Sequence, residues 1–148
     1  MMPLLFALMI AAAPQTSAPP PRAVDGLPIG GIPRQELPAQ GCATFLWTAT
    51  QTRVLVAMMT SDPARIRFAP DGKLVDLVRI AQQGPGDFGF LSHSDYAGGA
   101  LKVSIDMEIE TRGDLVQGGI ARNATLRIDR EGGDTVIVPV VGIIGCAS

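Results

Sequence analysis

LKVSIDMEIET, residues 101–111, alternates without a break. Leu101, Val103, Ile105, Met107 and Ile109 are apolar, and Lys102, Ser104, Asp106, Glu108 and Glu110 between them are polar. Successive side chains of a strand point to opposite faces, so this period of two collects the apolar groups on one face. A helix would scatter both sets around its circumference. The segment is therefore expected to be a half-buried antiparallel strand. IARNATLRID (120–129) alternates in the same way after a turn within 112–119, with Ile120, Ala124, Leu126 and Ile128 directed inward. EGGD (131–134) is a short hairpin signal, and TVIVPVVGIIGC (135–146) follows it. That last run is apolar on both faces. It is either a central strand or, because it carries Pro139, an edge strand under some cover.

Toward the other end the pattern is less regular. CATFLWTA (42–49) and RVLVAMM (53–59) are strand-like and joined by a tight turn at Thr50–Thr52. Phe45 and Trp47 alternate within the first of these and are expected as core anchors. RIRFA (65–69) leads into Pro70-Asp71-Gly72, a strong turn sequence. Residues 73–83, KLVDLVRIAQQ, fit either another strand or one short helix, with Asp71 as cap and Gly84-Pro85 as stop. Seven to eight short strands with polar turns give an all-β class, an antiparallel sandwich or small barrel.

Cys42 and Cys146 are the only cysteines and stand at the two ends of this body. An even, isolated pair in an exported chain is expected to form a disulfide, here between the first and last strands. Neither cysteine has the closely spaced partners that redox or metal sites use, and there is a single histidine. No metal or other cofactor is expected.

LLFALMIAAA (4–13) has the length of a signal-peptide core and falls well short of a membrane span. No Lys or Arg precedes it, and the cleavage site is not marked. The stretch from Pro14 to Gln40 carries seven prolines and reads as a tether, or as an arm lying along the domain. The expected organisation is a signal peptide over 1–18, a proline-rich linker over 19–40 and a β domain over 41–148, periplasmic or secreted. With a net charge of −2 and scattered Lys and Arg, neither a nucleic-acid groove nor a polybasic membrane patch is expected.

QQGPGDFGFLSHSDYAGGA (82–100) holds most of the residues that suggest chemistry. Its G-x-G-x-x-G (Gly84, Gly86, Gly89) is not followed by a helical pattern and has no βαβ setting, so it does not read as a nucleotide cradle. Ser92, His93, Ser94 and Asp95 are triad residue types, but adjacent positions point apart, and no G-x-S-x-G elbow is present. Asp106, Glu108 and Glu110 form an acidic ladder that should pair with Arg127, Arg122 or Arg130 across the sheet. Arg112-Gly113-Asp114 is a natural turn, and Asn123-Ala124-Thr125 lies inside an expected strand.

With no enzyme-grade constellation, the chain is expected to be a non-catalytic binding domain. The expected contact is either an edge strand or an 84–99 loop presenting Asp87, Phe88, Phe90, His93, Asp95 and Tyr96. Its partner would be another envelope protein or a second copy. In size, disulfide and β-rich layout the chain is similar in outline to small periplasmic lysozyme inhibitors, and that resemblance implies a loop plugging a hydrolase such as lysozyme. A small hydrolase using His93 is the remaining alternative.

Overall fold

The computed structural model describes residues 11–14, 18–115 and 117–148, so most of the expected 1–18 signal peptide lies outside the described residues. Nine strands follow in order: β1 (Ile29–Gly30), β2 (Cys42–Thr48), β3 (Leu55–Ser61), β4 (Ala64–Pro70), β5 (Val75–Asp87), β6 (Phe90–Gly98), β7 (Leu101–Thr111), β8 (Gly118–Arg130) and β9 (Val136–Cys146). Every pairing is antiparallel, and from β2 onward each strand pairs with the next until β9 returns to β2. The result is a closed eight-strand up-and-down barrel, with β1 added beside the end of β4. No helix occurs among the described residues, and 73–83 runs into the long strand β5. Its β-branched residues and the Asp71-Gly72 turn before it, with φ of 52° and 79°, decide that choice.

The alternation of residues 101–111 does what it promises. Val103, Ile105 and Met107 are buried in the barrel interior, with Leu101 and Ile109 packed against them. Leu46, Met59, Ile66, Phe68, Leu126 and Val138 meet them from the other strands. An eight-strand barrel is just wide enough for its inward side chains or one small ligand, and here side chains occupy it. One phase is corrected. Asn123 adopts φ of 45° at a register shift between Ala121 and Ala124, so Ala121 turns inward and Ile120 outward. The bulge inserts a residue into β8 and reverses the face of everything before it.

β9 is a central strand, between β2 and β8. Pro139 is tolerated there because its carbonyl accepts the Ala49 N–H just beyond the end of β2. A strand residue points its nitrogen and carbonyl to the same side, so the missing donor costs no bond to β8. Cys42 and Cys146 are direct partners on β2 and β9 and are joined by a disulfide. It ties the second strand to the last, because β1 precedes β2.

Both ends of the barrel are covered. At one end the 19–40 segment is an arm lying along the body: Val24 and Ile29 are buried in the main core. Asp25 accepts the Thr50 and Thr52 hydroxyls at 2.7 and 2.8 Å, which holds its carboxyl below the usual range. Further along, Ile32 packs with Ala43, Met58 and Ala69 on the outside of the sheet. At the other end the β5–β6 hairpin curls across the opening. Register shifts between Arg79 and Ala81 and between Gln83 and Gly86 bend it. Its tip brings the Phe88 ring against Gly119 of β8 and Gly89 against Ser61 of β3.

Gly142 of β9 is buried where β2 passes closely, and a Cβ there would run into the Phe45 carbonyl oxygen and the Leu46 side chain. Gly142→Ala should destabilise the fold by about 1–3 kcal/mol through overpacking. Urea unfolding measures it, and an unchanged midpoint would contradict this packing.

Candidate interaction surface

Residues 84–99 are not a loop. They form the end of β5, a two-residue turn at Phe88-Gly89 and β6. Both turn residues have positive φ, 58° and 82°, as the tight turn of a hairpin requires. The Asp87 carboxylate accepts the Phe88 N–H at 2.7 Å and steadies that conformation, which an aromatic residue rarely adopts. Arg79 donates to the Gly89 carbonyl at 3.2 Å and fastens the tip.

Strand alternation then sorts the expected contact residues. Phe90 and Tyr96 are fully buried, and Phe88 is half-buried against the core. These aromatics fill the barrel and are not surface groups, contrary to the expectation from the sequence. Burial pushes the Tyr96 phenol up to about 12, an effect that Arg79 and Ser94 moderate. Neither the Tyr96 nor the Ser94 hydroxyl makes a hydrogen bond of normal geometry.

His93 and Asp95 stay nearer the surface. His93 Nδ1 lies 2.7 Å from Asp106 and Nε2 lies 3.3 Å from Asp95, whose other oxygen accepts the Ser104 hydroxyl at 2.6 Å. The hydrogen bond to Asp106 raises the imidazole above its ordinary value; burial opposes it, and a weaker contribution from Asp95 adds to the rise. The Ser104 hydroxyl and, second to it, His93 hold Asp95 below the carboxylate range. The serine here serves a carboxylate rather than the imidazole, and the imidazole faces acids on both sides. The arrangement suits a charged surface clasp between β6 and β7. It does not place a base beside a nucleophile.

The acidic ladder is distributed among different partners. Asp106 meets His93, Glu108 accepts the Asn123 amide at 2.9 Å, and Glu110 pairs with Arg122. Arg127 turns instead to Asp129, and Arg130 to Asp71. No group of three or more His, Cys, Asp or Glu among the described residues is placed to hold a metal ion.

A different surface stands out on the outside of the barrel. The inward residues of β9 are Val138, Val140 and Ile144; its outward ones are Ile137, Pro139, Val141 and Ile143. Ile137 and Ile143 are 56% and 54% exposed. Phe45 and Trp47 flank this stripe from β2, directly opposite Ile143 and Val141. Ile120, turned outward by the bulge, adjoins Ile143 from β8. Phe45 and Trp47 are thus half-buried exterior groups with ring centroids 6.4 Å apart; Phe45 packs on the small outer cluster of Ile32, Ala43, Met58 and Ala69, and neither ring enters the barrel core. The signal for this surface was present in TVIVPVVGIIGC, which is apolar on the face a one-sided strand leaves to water. No family model, characterised protein or solved structure matches the chain.

The His93 clasp has a pH signature. Because the folded imidazole titrates above its unfolded value near 6.5, its stabilisation is complete below that pH and is lost as pH rises through the folded value. Wild type should therefore be more stable than His93→Gln at about pH 5.5, and that advantage should shrink by about pH 8.5. Urea titrations at both pH values test this; an equal difference at both would contradict the clasp.

Proposed function

We propose that this chain is an exported, non-catalytic binding domain that docks an envelope protein through the outer face of β9, with Phe45 and Trp47 as anchors. The exposed apolar stripe carries this reading. Ile137, Pro139, Val141 and Ile143 put no charge on the surface, and a contiguous rimmed apolar patch on a folded body marks a contact site. Aromatic anchors in such a patch contribute most of the binding energy at interfaces. The Cys42–Cys146 disulfide supports an oxidising compartment, and among the described residues no helix is long and apolar enough to cross a membrane. The His93 geometry favours binding over hydrolysis, since no serine hydroxyl is bonded to it among the described residues.

The 84–99 hairpin, expected as the contact loop, serves in this reading as the cover of one barrel end. The inhibitor alternative, whether toward lysozyme or another hydrolase, would use this same exterior face rather than that loop. Photo-crosslinking from position 143 in envelope extract tests the proposal. A defined adduct should form there, and it should be lost when Val141→Glu is added, with thermal stability kept. Absence of any adduct from position 143, or an adduct indifferent to Val141→Glu, would overturn the reading.

A further inference from the structure

The barrel is unevenly zipped between β6 and β7. Pairing runs from Gly98↔Leu101 to His93↔Asp106 and stops there. β7 continues along β8 as far as Thr111↔Gly119, while Phe90–Ser92 follow the curling hairpin away from it. Met107–Thr111 is therefore a strand edge that faces no partner strand on its β6 side among the described residues. A cleft of about 430 Å³ opens at this place, lined among others by Pro85, Asp87, Ser92, Met107, Glu108 and Ile109.

We propose that this cleft accepts an extended segment of another protein as an added strand on β7, and that the segment alternates basic with apolar residues. An unpaired strand edge supplies main-chain donors and acceptors at the spacing of an extended peptide of about five residues, about 17 Å over Met107–Thr111. The apolar floor comes from Met107, Ile109 and Pro85, which suits every second side chain of such a strand. The charge preference comes from Asp87 and Glu108. Asp87 is bonded to a backbone N–H and Glu108 to a neutral amide, and neither belongs to a salt bridge among the described residues. No basic side chain lines the cleft. Lysine or arginine from the incoming strand would complete both carboxylates.

The free edge of β5 makes a poor competitor. β5 pairs with β4 only over Val75–Val78, but the remainder carries Pro85 and two bulges, devices that blunt strand addition. The β7 edge carries no proline, and its one irregularity, a register shift opposite Met107, inserts its extra residue into β8 and not into β7. This site is separate from the β9 face, and its failure leaves the proposed function standing.

The test uses the intact disulfide-bonded protein and three capped hexapeptides. One alternates lysine with valine, one alternates glutamate with valine, and the third is the lysine peptide with alternate amides N-methylated. Amide hydrogen exchange and NMR titration are the readouts. The lysine peptide should bind saturably and slow exchange at Met107–Thr111, and N-methylation or glutamate should abolish the effect. Asp87→Asn with Glu108→Gln should weaken binding about tenfold. Several outcomes would overturn the proposal: equal binding of the N-methylated peptide, no saturable binding, or protection elsewhere. Slowed exchange at Met107–Thr111 in concentrated protein alone would do so too, since a second copy would then be the occupant.

Discussion

Within the barrel, the ladder between β2 and β9 is the one pairing that brings distant parts of the chain together. Every other neighbour in the barrel is also the neighbour in sequence, so those hairpins can form locally. Seven residue pairs join β2 to β9, and the disulfide stands at the end of that ladder, bridging residues 104 apart in sequence. On a chain-entropy view, a cross-link closing a loop of about 100 residues contributes up to about 4.7 kcal/mol by restricting the unfolded chain. That is of the same order as the whole stability of a small domain. Closure also removes both terminal edges of the sheet, which leaves strand addition only where a seam is locally open.

Closure at the sides is matched by closure at the ends. The arm places Val24 and Ile29 in one mouth, and the hairpin places Phe88 and Phe90 in the other. Large side chains such as Tyr96, Phe68 and Phe90 fill the interior between them. Contact chemistry is thereby left to the outer wall and to the seam beside the hairpin. On most of the wall, ion pairs such as Arg67–Asp76 and Arg130–Asp71 keep the surface solvated. Along β9 and its β2 flank they give way to isoleucine, valine, phenylalanine and tryptophan, while on the β8 side Arg127 stands opposite Ile137.

Legibility from sequence followed the physics of alternation. Residues 101–111 announced an inner and an outer face, and the structure keeps every one of those inner positions. The disulfide was legible because two lone cysteines bracketed the strands. Ile120 was misassigned because a bulge leaves no mark in the hydrophobic pattern beyond Asn123, whose left-handed φ becomes visible only in the structure. The 82–100 stretch read as a loop because glycine and proline usually end strands. Here Gly84, Pro85 and Gly86 bend one that continues. Phe45 and Trp47 were assigned to the core because large aromatics usually lie there, yet the phase set by Leu46 and Thr48 puts them outside. The arm was the least readable element. Its buried valine and isoleucines are spaced by prolines and fit no helix or strand period.

Residue-resolved hydrogen exchange of the oxidised and reduced protein tests closure most directly. Opening the disulfide should speed exchange along Ala43–Thr48 and Val140–Gly145 first, while the amides shared by β7 and β8 keep their protection. Unchanged exchange along β2 and β9 after reduction, or an equal loss in all strands, would contradict a barrel held shut by that ladder and its covalent bridge.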